Sequence, residues 1–118
     1  MFKTIQIGGQ TVDLLSNAAT PIYYHQLFKK DVVKNLAEAA QDNIIAVNMA
    51  PELAYIMMNQ AAKTDMSTLN IDTYIEWLET FGALDFVDAN EAIWDVYYGN
   101  IQTSSESKKK RTGKANEK

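Results

Sequence analysis

The chain opens on two short alternating runs. Ile5 and Ile7 alternate with Thr4 and Gln6, and Val12 and Leu14 alternate with Thr11 and Asp13. A period of two places the apolar members on one face of a strand. Gly8-Gly9 separates the runs, and adjacent glycines can both take the positive φ that two-residue turns often demand. The pattern predicts a β-hairpin over residues 2–15. A lone hairpin is marginal in water, so its apolar face needs a cover. Packing against helices is the plainer reading; an edge strand that pairs with a partner's strand is the alternative.

After Ser16-Asn17-Ala18-Ala19 the period becomes helical. Thr20-Pro21 reads as a helix start, because Thr can cap free amides and Pro tolerates the first turn. Ile22, Tyr23, Leu27 and Phe28 follow. Asp31 begins a second pattern, with Val32, Val33, Leu36, Ala37 and Ala40 on one face. In a third region, 43–65, Ile44, Ile45, Val47 and Met49 precede Pro51. Proline cannot donate to a helical ladder, and a start at Pro51 is expected, with Leu53, Ile56 and Met57 inward. Asn70-Ile71-Asp72-Thr73 opens a fourth helix carrying Tyr74, Ile75, Trp77, Leu78 and Phe81, with Gly82 as its C-cap. Asp85 caps a fifth helix with Phe86, Ala89, Ile93, Trp94, Val96, Tyr97 and Tyr98, ended by Gly99-Asn100. The expected fold is mainly α (α+β): an N-terminal two-stranded hairpin, then about five short helices over 20–101. One domain, 1–103, is expected.

Charge divides the chain at that boundary. The whole chain of 118 residues carries a net −4. Residues 1–103 hold five lysines against thirteen acids, a net −8. Residues 104–118 hold Lys108, Lys109, Lys110, Arg111, Lys114 and Lys118 against Glu106 and Glu117, a net +4. From Gln102 onward the sole apolar residue is Ala115, so the basic tail 104–118 is expected to be disordered when free. Without interleaved aromatics it offers no base-stacking platform, and no specific nucleic-acid partner is expected.

Composition removes further classes. Zero Cys excludes a disulfide framework and a thiol nucleophile, and one His excludes a multi-His metal centre. The first residues lack the apolar core of a signal peptide. The longest apolar run, Leu53–Met58, is six residues, far short of a membrane span. A soluble, intracellular protein with no membrane partner is expected. His25 has no partners at a recognisable spacing, and a structural role is expected for it. Asp88, Glu91 and Asp95 share a helix face, which reads as a solvated face able to steer a basic partner. No loop has the pattern of a calcium or phosphate site, and no serine sits in a nucleophile motif. No cofactor, no metal and no catalysis are expected.

The aromatic and Met positions are more informative. Met57, Met58, Trp77, Phe81, Trp94, Tyr97 and Tyr98 cover more than one narrow stripe of their helices. Most belong in a core, and part of the set is expected at a partner interface.

The order of features resembles the tail assembly chaperones of long-tailed bacteriophages of Gram-positive hosts. The likeness rests on a hairpin followed by Thr20-Pro21-Ile22-Tyr23-Tyr24, then Leu27-Phe28-Lys29-Lys30-Asp31-Val32-Val33, and later the Trp-bearing Tyr74-Ile75-Glu76-Trp77-Leu78-Glu79-Thr80-Phe81. It covers about residues 1–100 and marks Thr20, Pro21, Tyr23, Phe28 and Asp31 as motif positions with structural roles. Tyr24-His25 departs from the more basic pair expected in relatives. The resemblance implies a chaperone in the host bacterial cytoplasm that binds the tape-measure protein, keeps it soluble, helps recruit tail tube subunits and is absent from the mature virion. It also implies a longer form made by ribosomal frameshift, with a tube-binding extension; Lys108-Lys109-Lys110 is compatible with a slippery run. A homo-oligomer coating one client suits such a role. Another small helical adaptor or regulator of phage origin is the alternative.

Overall fold

The computed structural model describes residues 1–99; the basic tail 104–118 and the helix end expected at Asn100 lie outside the described residues. Strand β1 (Phe2–Ile7) pairs antiparallel with β2 (Gln10–Leu15), with Ile5 opposite Val12. Ile5, Ile7, Val12 and Leu14 are buried. The outer face is polar, with Thr4 bonded to Asp13 at 2.6 Å and Gln6 to Thr11 at 2.7 Å. Gly8 takes a positive φ of 61° and Gly9 does not, the arrangement of a two-residue turn with glycine at its first central position.

Five helices follow. Helix α1 spans Thr20–Phe28 and ends at Lys29, which adopts a left-handed conformation. Pro21 sits in the first turn as expected, but Thr20 is not the cap. Ala19 holds that position, the Ala19 amide donates to Asn17 Oδ1 at 2.9 Å, and the Thr20 hydroxyl turns inward. Helix α2 spans Val32–Ala39. Val32 and Ala39 are buried and Leu36 half-buried, whereas Ala37 and Ala40, expected inside, are exposed. The buried stripe is thus i, i+4, i+7, one step round from the expected one.

Helix α3 runs unbroken over Asn43–Ala61, with Pro51 in its interior. The expected start at Pro51 is therefore corrected. Asp42 caps the helix by accepting from the Ile44 amide at 2.9 Å, so nucleation lies two turns upstream of the proline. Helix α4 spans Ile71–Leu78 behind a capping box: Asn70 Oδ1 accepts from the Thr73 amide at 2.9 Å, and Thr73 Oγ1 accepts from the Asn70 amide at 3.0 Å. It closes at Glu79 in right-handed geometry, so Gly82 is not its C-cap. The Gly82 amide instead donates to the Asp85 carboxylate at 2.7 Å, at the entry to helix α5 (85–99). The expected capping by Asp85 is therefore corrected: Asp85 is the first helical residue, Leu84 stands at the cap position, and the Asp85 carboxylate fastens the connector before the helix.

The core forms around α3. Strand β2 and helices α1, α2 and α4 all pack on it. Ring contacts continue from Tyr24 and Phe28 on α1 through Tyr74, Tyr55 and Trp77 to Phe81 and Phe86, with centroids 4.9–5.3 Å apart along the chain of neighbours.

The hairpin turn meets the start of α5. A Cβ on Gly8 would overlap the Asp85 carboxylate, while one on Gly9 would meet open space. Gly8→Ala is expected to lower stability by roughly 1–2 kcal/mol, from strain at positive φ and loss of this close approach. Gly9→Ala should stay within about 0.5 kcal/mol of the parent in denaturant melts.

Candidate functional site

The motif positions serve the fold. Thr20 is fully buried, and its hydroxyl donates to Gln60 Oε1 at 2.7 Å while accepting from the Asn17 amide at 3.0 Å. Gln60 Nε2 donates to Asn17 Oδ1 at 3.0 Å. The connector, α1 and α3 are thereby joined by one satisfied polar cluster. Pro21 and Tyr23 are half-buried on α1. Phe28 lies between the rings of Tyr24 and Tyr74. Asp31 is exposed, and its Oδ1 accepts from the Lys34 amide at 3.3 Å at the start of α2.

The expected partner-binding set divides. Met57 is 0% exposed and belongs to the core, a correction to its place in that set. Five successive buried residues, Leu53 to Met57, explain why: the helix has no open face there. Trp94 and Tyr97 keep only 7% and 4% of their surface, and Trp94 Nε1 donates to the Ala46 carbonyl at 3.0 Å. Met58, Trp77, Phe81 and Tyr98 are half-buried against the core.

The exposed apolar side chains are different ones. Ile71 and Ile75 are 48% and 44% exposed on α4, and Leu84 and Val87 are 68% and 48% exposed at the start of α5. Spacings of four and three make each pair neighbours on one face. Their surroundings are acidic. Between Lys63 and Gly99 the sequence has eight acids and no Lys or Arg. Asp72, Glu76, Glu79, Asp88, Glu91 and Asp95 are all exposed. These aliphatic positions are outside the expected partner-binding set, because large rings dominate the pattern of the same helices. In α4, Tyr74 and Leu78 define the inner stripe and Ile75 falls off it, whereas Ile71, three and seven residues before them, is on the stripe by periodicity and is left partly open because it begins the helix.

Titratable chemistry is structural. Tyr24 donates to Glu52 Oε1 at 2.7 Å, and Lys30 Nζ meets Glu52 Oε2 at 2.8 Å. Burial, then the Glu52 carboxylate, pushes the Tyr24 phenol well above its ordinary value. Burial and Glu52 raise Tyr74 likewise, and burial raises Tyr97. The Ser67 hydroxyl and amide hold Asp65 below its usual range. His25 is exposed, with Nδ1 3.1 Å from the Lys30 carbonyl. Among the described residues no group of three or more acids and imidazoles is placed to hold a metal ion. The arrangement can bind an apolar, cationic or neutral surface.

The raised phenols fix the sign of an alkaline transition. An unfolded chain ionises its tyrosines near pH 10, while the folded chain keeps Tyr24, Tyr74 and Tyr97 neutral to higher pH. Their contribution is complete below about pH 10 and is lost as the pH rises beyond it. Denaturant midpoints followed from neutral pH to about pH 11 should fall on the alkaline side, with tyrosinate absorbance appearing together with unfolding. Tyr74→Phe should flatten that fall; an unchanged profile would remove Tyr74 from the account.

The Thr20 cluster gives a second test. Gln60→Leu strands the buried Thr20 hydroxyl and should cost about 1–3 kcal/mol, and adding Thr20→Val should recover part of that loss. No protein-family model, no curated protein and no solved structure matches the chain.

Proposed function

We propose that this chain is a tail assembly chaperone of a long-tailed phage, which holds the tape-measure protein soluble until tube subunits replace it. The reading rests on the motif resemblance over residues 1–100. The observation that supports it in structural terms is the occurrence of exposed aliphatic side chains together with exposed acids on α4 and α5. A long helical client presents apolar stripes that aggregate when bare. Ile71, Ile75, Leu84 and Val87 offer shallow apolar contact, and the surrounding carboxylates keep the complex in solution. Shallow contacts give modest affinity per protomer, so several copies along one client hold it together and still release it. Recruitment of the tail tube protein belongs to a longer, frameshifted form in this reading. The site is in the host cytoplasm, and no described helix is long and apolar enough to cross a membrane.

Co-expression with a candidate tape-measure protein tests the proposal. The client should become soluble and co-purify. Ile71→Asp with Ile75→Asp should reduce co-purified client severalfold while circular dichroism shows the chain still folded, since about half of each side chain is already exposed to water. Ile44→Asp, at an isoleucine 71% exposed on α3, should leave client recovery unchanged. A client that stays insoluble beside the wild-type chain overturns the function; equal recovery with the Ile71 and Ile75 variants overturns the face.

A further inference from the structure

A second surface lies on the other flank of α5. Ala39, Ala40, Asn43 and Ala46 from α2 and α3 face Asn90, Glu91, Trp94, Asp95 and Tyr98 from α5 across a groove of about 350 Å³. The alanines make an apolar floor. Trp94 and Tyr98 form one wall, their rings stacked at 5.4 Å with an interplanar angle of 27°. Glu91 and Asp95 are exposed at the rim, and the described residues hold no cation against either. These features favour one occupant chemistry. An aliphatic stem fits an alanine floor, and a cation is attracted to the exposed carboxylates and to the half-buried Tyr98 ring beside them. Phosphate polymers are repelled by the same rim.

We propose that this groove is the docking site of the chain's own basic segment, Lys108-Lys109-Lys110-Arg111. That run is the densest cluster of cations in the sequence. It begins nine residues beyond Gly99, the last described position of the helix that forms the groove's wall. Nine residues reach up to about 30 Å, and Trp94 lies only about 8 Å back along the helix axis from Gly99. Contact within one chain carries no dilution cost, so weak contacts suffice for occupancy, whereas a separate partner would have to overcome dilution. The assignment stands on the groove and the charges, whatever client the α4–α5 face takes.

The test compares backbone amide spectra of the ¹⁵N-labelled full chain with those of a variant carrying Lys108→Glu, Lys109→Glu, Lys110→Glu and Arg111→Glu. At low salt the differences should reach Ala39, Ala40, Asn43, Ala46 and 90–98. They should vanish near 1 M salt, where screening acts within a few ångströms. Glu91→Lys with Asp95→Lys in the wild-type tail should abolish the contact, and combining both reversals should restore it. Circular dichroism melts establish that each variant is folded. Differences confined to the substituted positions and their sequence neighbours would overturn the proposal. So would groove shifts that grow with protein concentration, which would assign the occupant to a second copy.

Discussion

The second half of α3 is buried on every side, and the rest of the structure depends on that. Five consecutive residues from Leu53 to Met57 are buried, and at 100° per residue they sweep more than the full circumference. A helix with no solvent face must be enclosed, and a chain this short has few elements with which to enclose it. The hairpin, α1, α2 and α4 each cover one sector. The two-stranded sheet, unstable alone, gains a hydrophobic partner, and α3 gains a lid from the hairpin. Neither is stable without the other, so the N-terminal hairpin is an integral wall of the core.

Apolar enclosure alone does not set angles; the hydrogen bonds between elements do. Ser16 Oγ donates to the Val96 carbonyl at 2.8 Å, tying the end of the hairpin to α5. Tyr55 Oη donates to Thr73 Oγ1 at 2.8 Å, tying α3 to the capping box of α4. Thr20 and Gln60 tie α1 to α3, and Trp94 ties α5 to α3. Each is worth about 0.5–1.5 kcal/mol net, but a wrong packing angle would leave the same groups unpaired at a larger cost. The large rings therefore serve orientation as well as burial, which is why Trp94 and Tyr97 are drawn inward from the surface role their helix periodicity allowed.

The hairpin, its inward set, the count of helices and the Asn70 start were legible because each follows from local rules of alternation, turn chemistry and capping. What was hidden depends on tertiary contacts. Pro51 looks like a boundary, yet Asp42 nucleates the helix upstream and burial carries it through the proline. Thr20 looks like a cap, yet Gln60, forty residues away, claims its hydroxyl. Gly82 looks like a stop, yet α4 closes earlier, at Glu79, and the Gly82 amide is taken by the Asp85 carboxylate. On the candidate surface, ring-bearing positions were conspicuous and exposed isoleucines were not. Size marks what a small core needs, while the exposed pairs are defined only by the surface that the core leaves uncovered.

The charge pattern gives that uncovered surface its selectivity. The lysines of residues 1–99 lie at 3, 29, 30, 34 and 63, all outside the segment 64–99 that supplies α4 and α5. Aliphatic side chains exposed without charge would attract any apolar surface, including the same face of another copy. Here two such faces meeting would bring exposed carboxylates together, a repulsion with no lysine nearby in sequence to relieve it. The face is thus biased against itself and open to a neutral or basic apolar stripe. The same field leaves the groove beside Glu91 and Asp95 hospitable to cations, so one distribution of charge disfavours face-to-face contact between copies at one flank of α5 and favours positive charge at the other.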